Sequence, residues 1–435
     1  MADARKATLT LLEKCRRGGA WSDAALGSVL DAEKLTGRDR ALAAVLCYGV
    51  LQNRMLLDHM IAQCATMPLR KIEPKVLDIL RVTAYQLAFL DKVPAAAAVD
   101  SAVKLCKGLG YARAAGFVNA VARRLAEGAY TIPEGNDPAS ISLRYSHPEW
   151  LVARLSALLG ADEAAKICRI NNAPAPITLQ INTLRTDTTT LLKALQSQGL
   201  TAEAHRYVPD CILLQGGNIP AIPEFQQGHF YVQDAAAKLS VLAAAPQKGQ
   251  RILDVCAAPG GKSFAAAIVS GGAEITACDL HQNKLSRIRE GAQRLGIESI
   301  TTRAMDARQP CPEFHNRFDL VIADVPCSGL GVIRKKPDIR YKDPAALSGL
   351  PEIQAAILRN VSAYVRPGGT LLYSTCTVLP EENGDVVSSF LNDNTAFVPD
   401  DFTLPGGCRS ENGMLQLWPQ RNGTDGFFIA KMKNG

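Results

Sequence analysis

From Gln250 onward, short apolar runs alternate with helix-like segments, and this alternation constrains the fold more than any other feature of the chain. Apolar runs of this length are typical of buried strands. Strands separated by helices predict a parallel sheet that is covered by helices on both faces. The predicted strands are residues 251–255, 274–279, 300–305, 318–324 and 370–375, followed by short runs at 397–398, 414–417 and 426–429 that predict an antiparallel edge.

The first third of the chain has a different periodicity. Over residues 39–125 the apolar positions recur at helical spacing, and no strand-like alternation interrupts them. This pattern predicts an all-helical domain. Proline and glycine residues then predict a linker over residues 130–142.

Between the linker and the alternating region the pattern is mixed. A helix near 150, a strand at 177–181, a helix around 191–195 and an apolar run at 212–214 predict a small α+β module. Because 435 residues exceed what one hydrophobic core fills, we expect a multidomain protein. The predicted domains are residues 1–130, 145–235 and 236–432.

Charge is unevenly distributed. Residues 1–145 contain 20 Lys and Arg against 14 Asp and Glu, whereas the rest of the chain is balanced. A basic surplus favours a polyanionic partner such as RNA, although an ordinary solvated surface explains it equally well. With no long apolar run and no secretory signal pattern, we expect a cytoplasmic protein with free thiols, no membrane contact and no metal site.

The segment that follows the first predicted strand of the sheet has the composition of a cofactor-binding loop. Residues 253–263 are rich in small side chains and lead from a strand into a helix, where backbone N–H groups can approach a ligand. Gly261-Lys262-Ser263 also resembles the end of a phosphate-binding P-loop. That alternative is weakened because Cys256 stands where the P-loop needs glycine, and because Pro259 removes an N–H donor.

Two acidic residues follow the next strands. Asp279 lies 25 positions after Asp254, a separation that suits a carboxylate accepting both hydroxyls of a ribose. Asp306 follows the third strand, where it could accept a hydrogen bond from the amine of an adenine. Taken alone, Asp306 is better explained as a solvated loop residue.

Cys327 and Cys376 differ from the other cysteines in their positions. Each follows a predicted strand at the carboxyl edge of the sheet, where sheets of this type bind ligands. Both are therefore candidate reactive thiols. We expect the cysteines within apolar runs to be buried and inert, namely Cys47, Cys64, Cys106, Cys168 and Cys278.

Two thiols beside a cofactor loop suit methyl transfer to carbon 5 of cytosine. That carbon becomes nucleophilic only after a thiolate has added to carbon 6. Asp324, if protonated, could supply a proton to the ring N3, and Lys262 could assist electrostatically. A second thiol could then remove the proton that remains on carbon 5.

Residues 254–262, 324–329 and 375–376 together resemble the Nop/Sun family of RNA (cytosine-5)-methyltransferases. This resemblance covers about residues 145–432, and the helical first third is similar to the RNA-binding domain of the antitermination factor NusB. It implies a C-terminal Rossmann-like class I methyltransferase domain that uses S-adenosylmethionine. It also implies an enzyme that acts on small-subunit ribosomal RNA, naked or in an early assembly particle. We further expect a monomer without a stable protein partner.

The resemblance further implies roles that spacing alone leaves open. Cys376 would attack the cytosine, and Cys327 would assist release of the product. Asp324 and Lys262 would belong to the catalytic group. The implied S-adenosylmethionine site consists of Cys256, Ala257, Ala258, Pro259, Gly260, Gly261, Lys262, Asp279, Asp306 and Asp324.

Two further hypotheses complete the predictions. Residues 334–341 place four cations beside an aromatic side chain, which is suitable for gripping phosphates near a base turned out of its stack, although a solvated loop is the alternative. The chain could also be an RNA-binding assembly factor with a vestigial catalytic site, which the intact acidic residues and cysteines argue against.

Overall fold

The computed structural model describes residues 3–18 and 22–435 of the chain. It separates into two compact units that we treat individually. The helical unit consists of Met1–Ala173 with Ile333–Lys342, and the sheet unit consists of Pro174–Val332 with Asp343–Gly435. Among the described residues, no helix combines the length and the apolar character that a membrane crossing requires.

The helical unit confirms the all-α prediction for the first third of the chain. The apolar faces of its first seven helices form one continuous core, and the helices of residues 138–171 bury a smaller, separate one. Local signals place the helix ends: α5, for example, begins at Pro74 after Glu73, whose carboxylate accepts hydrogen bonds from two N–H groups of the first turn. The helices are α1 (Ala4–Gly18), α2 (Ser22–Ala32), α3 (Gly37–Gln52), α4 (Arg54–Cys64), α5 (Pro74–Phe89), α6 (Ala95–Gly108), α7 (Ala115–Ala126), α8 (Pro138–Tyr145), α9 (Glu149–Leu159) and α10 (Ala161–Asn171).

Helix α8 lies partly where the sequence predicted a linker. The prediction is wrong for residues 138–142, because Asp137 caps a helix there and accepts a hydrogen bond from the Ser140 N–H at 3.0 Å. Pro138 occupies the first turn, where its missing N–H is not needed. A proline that suggested a linker therefore begins a helix.

The segment Ile333–Lys342, which we name the strap, packs with the helical unit although it lies between Cys327 and Cys376 in the chain. Arg340 is fully buried, and its Nη1 donates to the Gln52 carbonyl at 2.8 Å and to the Ser146 carbonyl at 3.0 Å. The prediction that this basic segment grips phosphates is therefore wrong for Arg340, because its side chain is buried and its Nη1 already donates to backbone carbonyls.

The sheet unit begins with a small antiparallel sheet in the order β2-β3-β1-β4. Its apolar face packs against α11, which confirms an α+β arrangement in this part of the chain. The elements are β1 (Ile177–Ile181), α11 (Thr188–Ser197), β2 (Ala202–Ala204), β3 (Cys211–Leu214), α12 (Pro223–Gln226) and β4 (Phe230–Val232).

A larger, mixed sheet follows, in the order β10-β12-β9-β8-β5-β6-β7 with β11 paired to β12. The neighbours from β9 to β7 are parallel, and β12 is antiparallel to β9, β10 and β11, as predicted. The strands are β5 (Arg251–Asp254), β6 (Glu274–Asp279), β7 (Ile300–Ala304), β8 (Phe318–Asp324), β9 (Val365–Thr375), β10 (Phe397–Pro399), β11 (Met414–Leu417) and β12 (Phe427–Asn434).

Helices cover both faces of this sheet and bury its apolar side chains in two separate cores. They are α13 (Ala235–Ala244), α14 (Gly261–Ser270), α15 (Leu285–Leu295), α16 (Pro344–Leu347), α17 (Leu350–Ser362), α18 (Gly384–Asp393) and α19 (Pro419–Asn422). Because β5, β8 and β9 are parallel neighbours, their carboxyl ends meet at the centre of one edge. In this register Asp254 pairs with Ile322, and Asp324 pairs with Ser374. Ligands bind at such an edge in open α/β sheets.

Candidate active site

The loop between β5 and α14 is held close to the sheet by its backbone. The Ala257 N–H donates to the Cys278 carbonyl of β6 at 2.7 Å. Gly260 has a φ of 115°, and a Cβ at this position would lie 2.4 Å from the ring of Phe264. Glycine is therefore required at position 260, and the loop leaves space at the carboxyl edge of the sheet.

That space is a cavity of about 460 Å³, which is within the usual range for small-molecule and cofactor sites. Seven of the residues predicted to bind a cofactor line it: Cys256, Ala257, Ala258, Pro259, Gly261, Lys262 and Asp324. Gly260, Asp279 and Asp306 are not among its lining residues. Four further residues contribute to its wall that no motif in the sequence predicted: Phe225, Tyr231, Val232 and Arg294.

Asp254 brings a buried carboxyl group to the cavity wall. Its Oδ2 accepts a hydrogen bond from the Ser263 hydroxyl at 2.7 Å, whereas its Oδ1 has no hydrogen-bond partner. Burial raises the pKa of Asp254 to about 7. A buried acceptor without a partner is costly, so a ligand that brings an N–H or ammonium group would be favoured here.

Asp279 and Asp306 differ in how close they lie to the loop. The Asp279 carboxylate accepts hydrogen bonds from the N–H groups of Ala258, at 3.3 Å, and His281, at 3.0 Å. Asp306 is instead paired with Arg308, whose Nη2 lies 2.8 Å from its Oδ2 and whose hydrogen bonds lower the pKa of Asp306. The structure therefore brings Asp279, but not Asp306, into contact with the loop.

Lys262 and Asp324 form an ion pair at the base of the cavity. Nζ of Lys262 lies 2.6 Å from Oδ2 of Asp324, and Ser374 donates to the other carboxylate oxygen at 2.8 Å. The lysine side chain is only 7% exposed, and its Nζ lies 5.0 Å from the centre of the Phe427 ring. Both oxygens of Asp324 therefore have a partner, which holds the carboxylate in a fixed orientation.

Cys327 and Cys376 lie side by side, as their positions after β8 and β9 predicted. Their Sγ atoms are 3.3 Å apart, and both residues are partly exposed. A hydrogen bond from Cys327 lowers the pKa of Cys376, and the positive charge of Lys262 acts in the same direction. The same hydrogen bond, together with burial, raises the pKa of Cys327. The pair therefore favours a thiolate at Cys376 and a thiol at Cys327.

The remaining cysteines are less suited to reaction. The five expected to be inert are all buried. Cys256 is partly exposed at the cavity, but burial and the neighbouring carboxylates Asp254 and Asp324 raise its pKa. A raised pKa leaves little thiolate at neutral pH.

A buried polar network, which the sequence did not predict, surrounds the two thiols. Glu382 is 1% exposed, and its carboxylate accepts hydrogen bonds from the Ser328 N–H and the Gln354 side chain. Asn383 bonds to residues on both sides of Cys376. The segment Pro380-Glu381-Glu382-Asn383 has the composition of a solvated turn, so no local pattern in the sequence predicted that Glu382 is buried.

Comparison with protein families gives three consecutive matches. Residues 241–433 match the model described as 16S rRNA methyltransferase RsmB/F. Residues 2–127 match the NusB family, and residues 147–219 match the ferredoxin-like domain of RsmF/B-like methyltransferases. The NusB-like and methyltransferase resemblances predicted from the motifs are confirmed.

Full-length relatives and a solved structure agree with these matches. The chain is 38% identical to the probable ribosomal RNA small subunit methyltransferase B of Bacillus subtilis, over 99% of this chain and 98% of that protein. It is 35% identical to the probable enzyme of the same name from Synechocystis, over 100% of both chains. The crystal structure of PH0851 shares the fold, with a TM-score of 0.81 at 24% identity, over 99% of this chain and 97% of that one. The chain therefore belongs to the RsmB family of ribosomal RNA small subunit methyltransferases.

Proposed function

We propose that this protein transfers a methyl group from S-adenosylmethionine to carbon 5 of a cytidine in 16S ribosomal RNA, through a covalent bond between Cys376 and carbon 6. The observation that carries the proposal is the pair of thiols, 3.3 Å apart, next to the Lys262–Asp324 ion pair of the cofactor cavity. Methylation at a ring nitrogen or a hydroxyl group needs no thiol nucleophile, whereas methylation at carbon 5 does.

The cavity fits S-adenosylmethionine. When bound, the cofactor supplies an electrophilic methyl group. Asp254 Oδ1, which has no partner within the protein, suits the ammonium group of the methionine end. Asp279 retains acceptor sites for ribose hydroxyls, since a carboxylate accepts about four hydrogen bonds. We also propose that Asp306 accepts a hydrogen bond from the adenine amine. For this contact to form, the ion pair between Asp306 and Arg308 would have to break.

Cys376 begins the reaction in this proposal. Its thiolate, stabilised by Cys327 and Lys262, forms a bond to carbon 6. The electrons of the carbon 5–carbon 6 double bond shift to a carbon 4–carbon 5 double bond, which places negative charge on N3. The ring N3 then needs a proton. Asp324 would donate it after receiving it from Lys262, whose Nζ is 2.6 Å away.

Cys327 completes the reaction. Once carbon 5 has accepted the methyl group, its remaining proton must leave before the bond from carbon 6 to Cys376 can break. When the Cys376 sulfur is bound to carbon 6, the negative charge that kept Cys327 protonated is gone. Cys327 can then lose its proton to solvent, and its thiolate takes the proton from carbon 5. The electrons of that C–H bond restore the carbon 5–carbon 6 double bond, Cys376 leaves carbon 6 as a thiolate, and N3 returns its proton to Asp324.

The helical N-terminal domain would bind the RNA. Its match to the NusB family and the basic surplus of residues 1–145 support this role. In the proposed division of labour, residues 1–130 and 145–235 hold structured RNA while residues 236–432 catalyse the transfer, in a cytoplasmic monomer.

One experiment tests the proposal directly. The purified protein is incubated with methyl-labelled S-adenosylmethionine and either naked 16S ribosomal RNA or small-subunit particles, and the RNA is digested to nucleosides for mass spectrometry. The expected product is 5-methylcytidine, and the Cys376→Ala variant should yield none. Label at any other nucleoside, or an equal yield from the variant, would overturn the proposal.

A further inference from the structure

Glu382 connects the two loops that carry the thiols. Its Oε2 accepts a hydrogen bond from the backbone N–H of Ser328 at 2.8 Å, and Ser328 is the residue after Cys327. Its Oε1 accepts from the hydroxyl of Thr377 at 3.3 Å, and Thr377 is the residue after Cys376. One carboxylate therefore contacts both loops at positions adjacent to the reactive cysteines.

Other bonds strengthen the same bridge. The hydroxyl groups of Ser328 and Thr377 lie 2.6 Å apart. The Gln354 amide donates both to Glu382 Oε2, at 2.9 Å, and to the carbonyl of Pro326, the residue before Cys327, at 3.0 Å. The Cys327 loop is therefore held on both sides of the cysteine.

The Cys376 loop is held in a similar way. Asn383 accepts a hydrogen bond from the Thr375 hydroxyl at 2.5 Å and donates to the Thr377 carbonyl at 3.2 Å. The carbonyl of Cys376 itself accepts from the Gly331 N–H at 2.9 Å. Glu382 is the member of this network that contacts both loops through one ionisable group, and it is shielded from water.

We propose that Glu382 is a positioning residue that fixes the distance between the sulfur atoms of Cys327 and Cys376 by bridging Ser328 and Thr377. The inference deepens the proposed function, because carbon 5 and carbon 6 of one base must each meet a different sulfur. A displacement of about 1 Å at a catalytic group is enough to reduce a rate on the order of a hundredfold.

Three variants separate the bridge from other contributions. Glu382→Ala removes both acceptor oxygens. Glu382→Gln keeps one oxygen for Ser328 and Gln354, and its amide can donate to Thr377, so it should preserve the bridge. Thr377→Val keeps the side-chain shape and removes the bonds to Glu382 and Ser328, which provides a second test if Glu382→Ala does not fold. Glu352→Ala is the control, since Glu352 is exposed on α17, the helix that carries Gln354.

The main readout is the rate at which the two thiols become linked by diamide. This oxidant accepts the two hydrogen atoms that the thiols lose, so that one disulfide forms and the diazene is reduced to a hydrazine. Mass spectrometry of peptides prepared without reductant quantifies the Cys327–Cys376 link. A second readout is the single-turnover methylation rate at saturating RNA, and calorimetry with S-adenosylmethionine checks the cofactor site.

We expect linking and methylation in Glu382→Ala to fall by about tenfold or more, an intermediate effect in Thr377→Val, and rates within about threefold of the parent in Glu382→Gln and Glu352→Ala. Cofactor affinity should not change. Linking that proceeds at the parental rate in both Glu382→Ala and Thr377→Val would overturn the inference. The linking rate does not depend on which atom of the RNA accepts the methyl group, so this readout remains valid even if the protein methylates another atom.

Discussion

Nζ of Lys262 lies 2.6 Å from Oδ2 of Asp324. This ion pair joins the first turn of α14 to the end of β8, and both residues line the cofactor cavity. It also adjoins the thiols, since Lys262 lowers the pKa of Cys376. The pair is therefore the point at which the cavity and the proposed nucleophile meet.

Replacing the acid of this pair tests its proposed role in proton transfer. Asp324→Asn keeps the side-chain shape but cannot pass a proton from Lys262 to N3, so we expect the single-turnover methylation rate to fall about 10²–10⁴-fold. The measurement uses saturating S-adenosylmethionine and RNA. Asp319→Asn is the matched control, because Asp319 also lies on β8 and pairs with Arg366 away from the cavity. Equal rates for the two variants would exclude Asp324 from the chemistry.

The two cysteines should fail in different ways. Cys376→Ala removes the nucleophile, so neither methylated RNA nor a covalent complex should form. Cys327→Ala should still add to the base and methylate it but should not release it, which traps protein on RNA. Denaturing electrophoresis after incubation with S-adenosylmethionine and RNA detects the trapped complex. A complex seen only with Cys376→Ala would reverse the two assignments.

The reactivity of Cys376 should depend on pH in a defined direction. A lowered pKa means that its thiolate persists to lower pH than that of an ordinary cysteine, for which the reference pKa is 9.0. The rate of alkylation by iodoacetamide should therefore rise with pH through a midpoint below that value. Because Cys327 supplies the hydrogen bond, Cys327→Ala should move the midpoint upward. Peptide mass spectrometry resolves Cys376 from the other eleven of the 12 cysteines. An unchanged midpoint would show that Cys327 does not stabilise the thiolate.

Asp254 should make stability depend on pH. Its pKa rises from 3.8 to about 7 on folding, so the folded protein binds this proton more tightly than the unfolded chain. The stability contributed by this group therefore falls as pH rises from about 4 to about 7. Asp254→Asn removes this titrating group. The free energy of unfolding of the variant minus that of the parent should therefore increase by on the order of 2 kcal/mol between pH 5 and pH 8. Thermal unfolding at both pH values measures the difference, and a pH-independent difference would contradict the prediction.

Arg340 should be a strong determinant of stability in the helical unit. Its removal leaves the carbonyls of Gln52 and Ser146 without a donor, and such buried groups cost about 1–3 kcal/mol each. We expect Arg340→Leu to lower the free energy of unfolding by about 2–4 kcal/mol. Lys336→Ala, at an exposed position of the strap, should change it by less than about 0.5 kcal/mol. Urea unfolding followed by circular dichroism compares the two variants.

Local patterns in the sequence were sufficient to predict the sheet and which residues lie at its carboxyl edge. Each parallel strand is a short apolar run, and the residues that follow parallel strands must meet at one edge, which brought Cys327 and Cys376 together correctly. The start of β9 was missed, since Pro367-Gly368-Gly369 has the composition of a turn, yet the strand begins at Val365 with an irregular register against β8.

The sequence did not predict the burial or the site contacts of residues whose neighbours come from distant parts of the chain. Glu382 and Arg340 carry charged side chains in segments with the composition of exposed turns, and only the tertiary structure provides the donors and acceptors that permit their burial. Phe225 and Arg294 reach the cavity from separate elements, which no spacing within a single motif reveals.

The strap has a consequence for how genes of this kind can be recombined. A ten-residue stretch encoded inside the methyltransferase region folds as part of the helical unit. If the N-terminal domain were exchanged for that of a relative by a single crossover near residue 174, the strap would remain from the original protein. Arg340 would then have to bind carbonyl groups that belong to the domain of the relative. The domain and the strap must therefore be inherited as one module, although about 160 residues separate them in the chain.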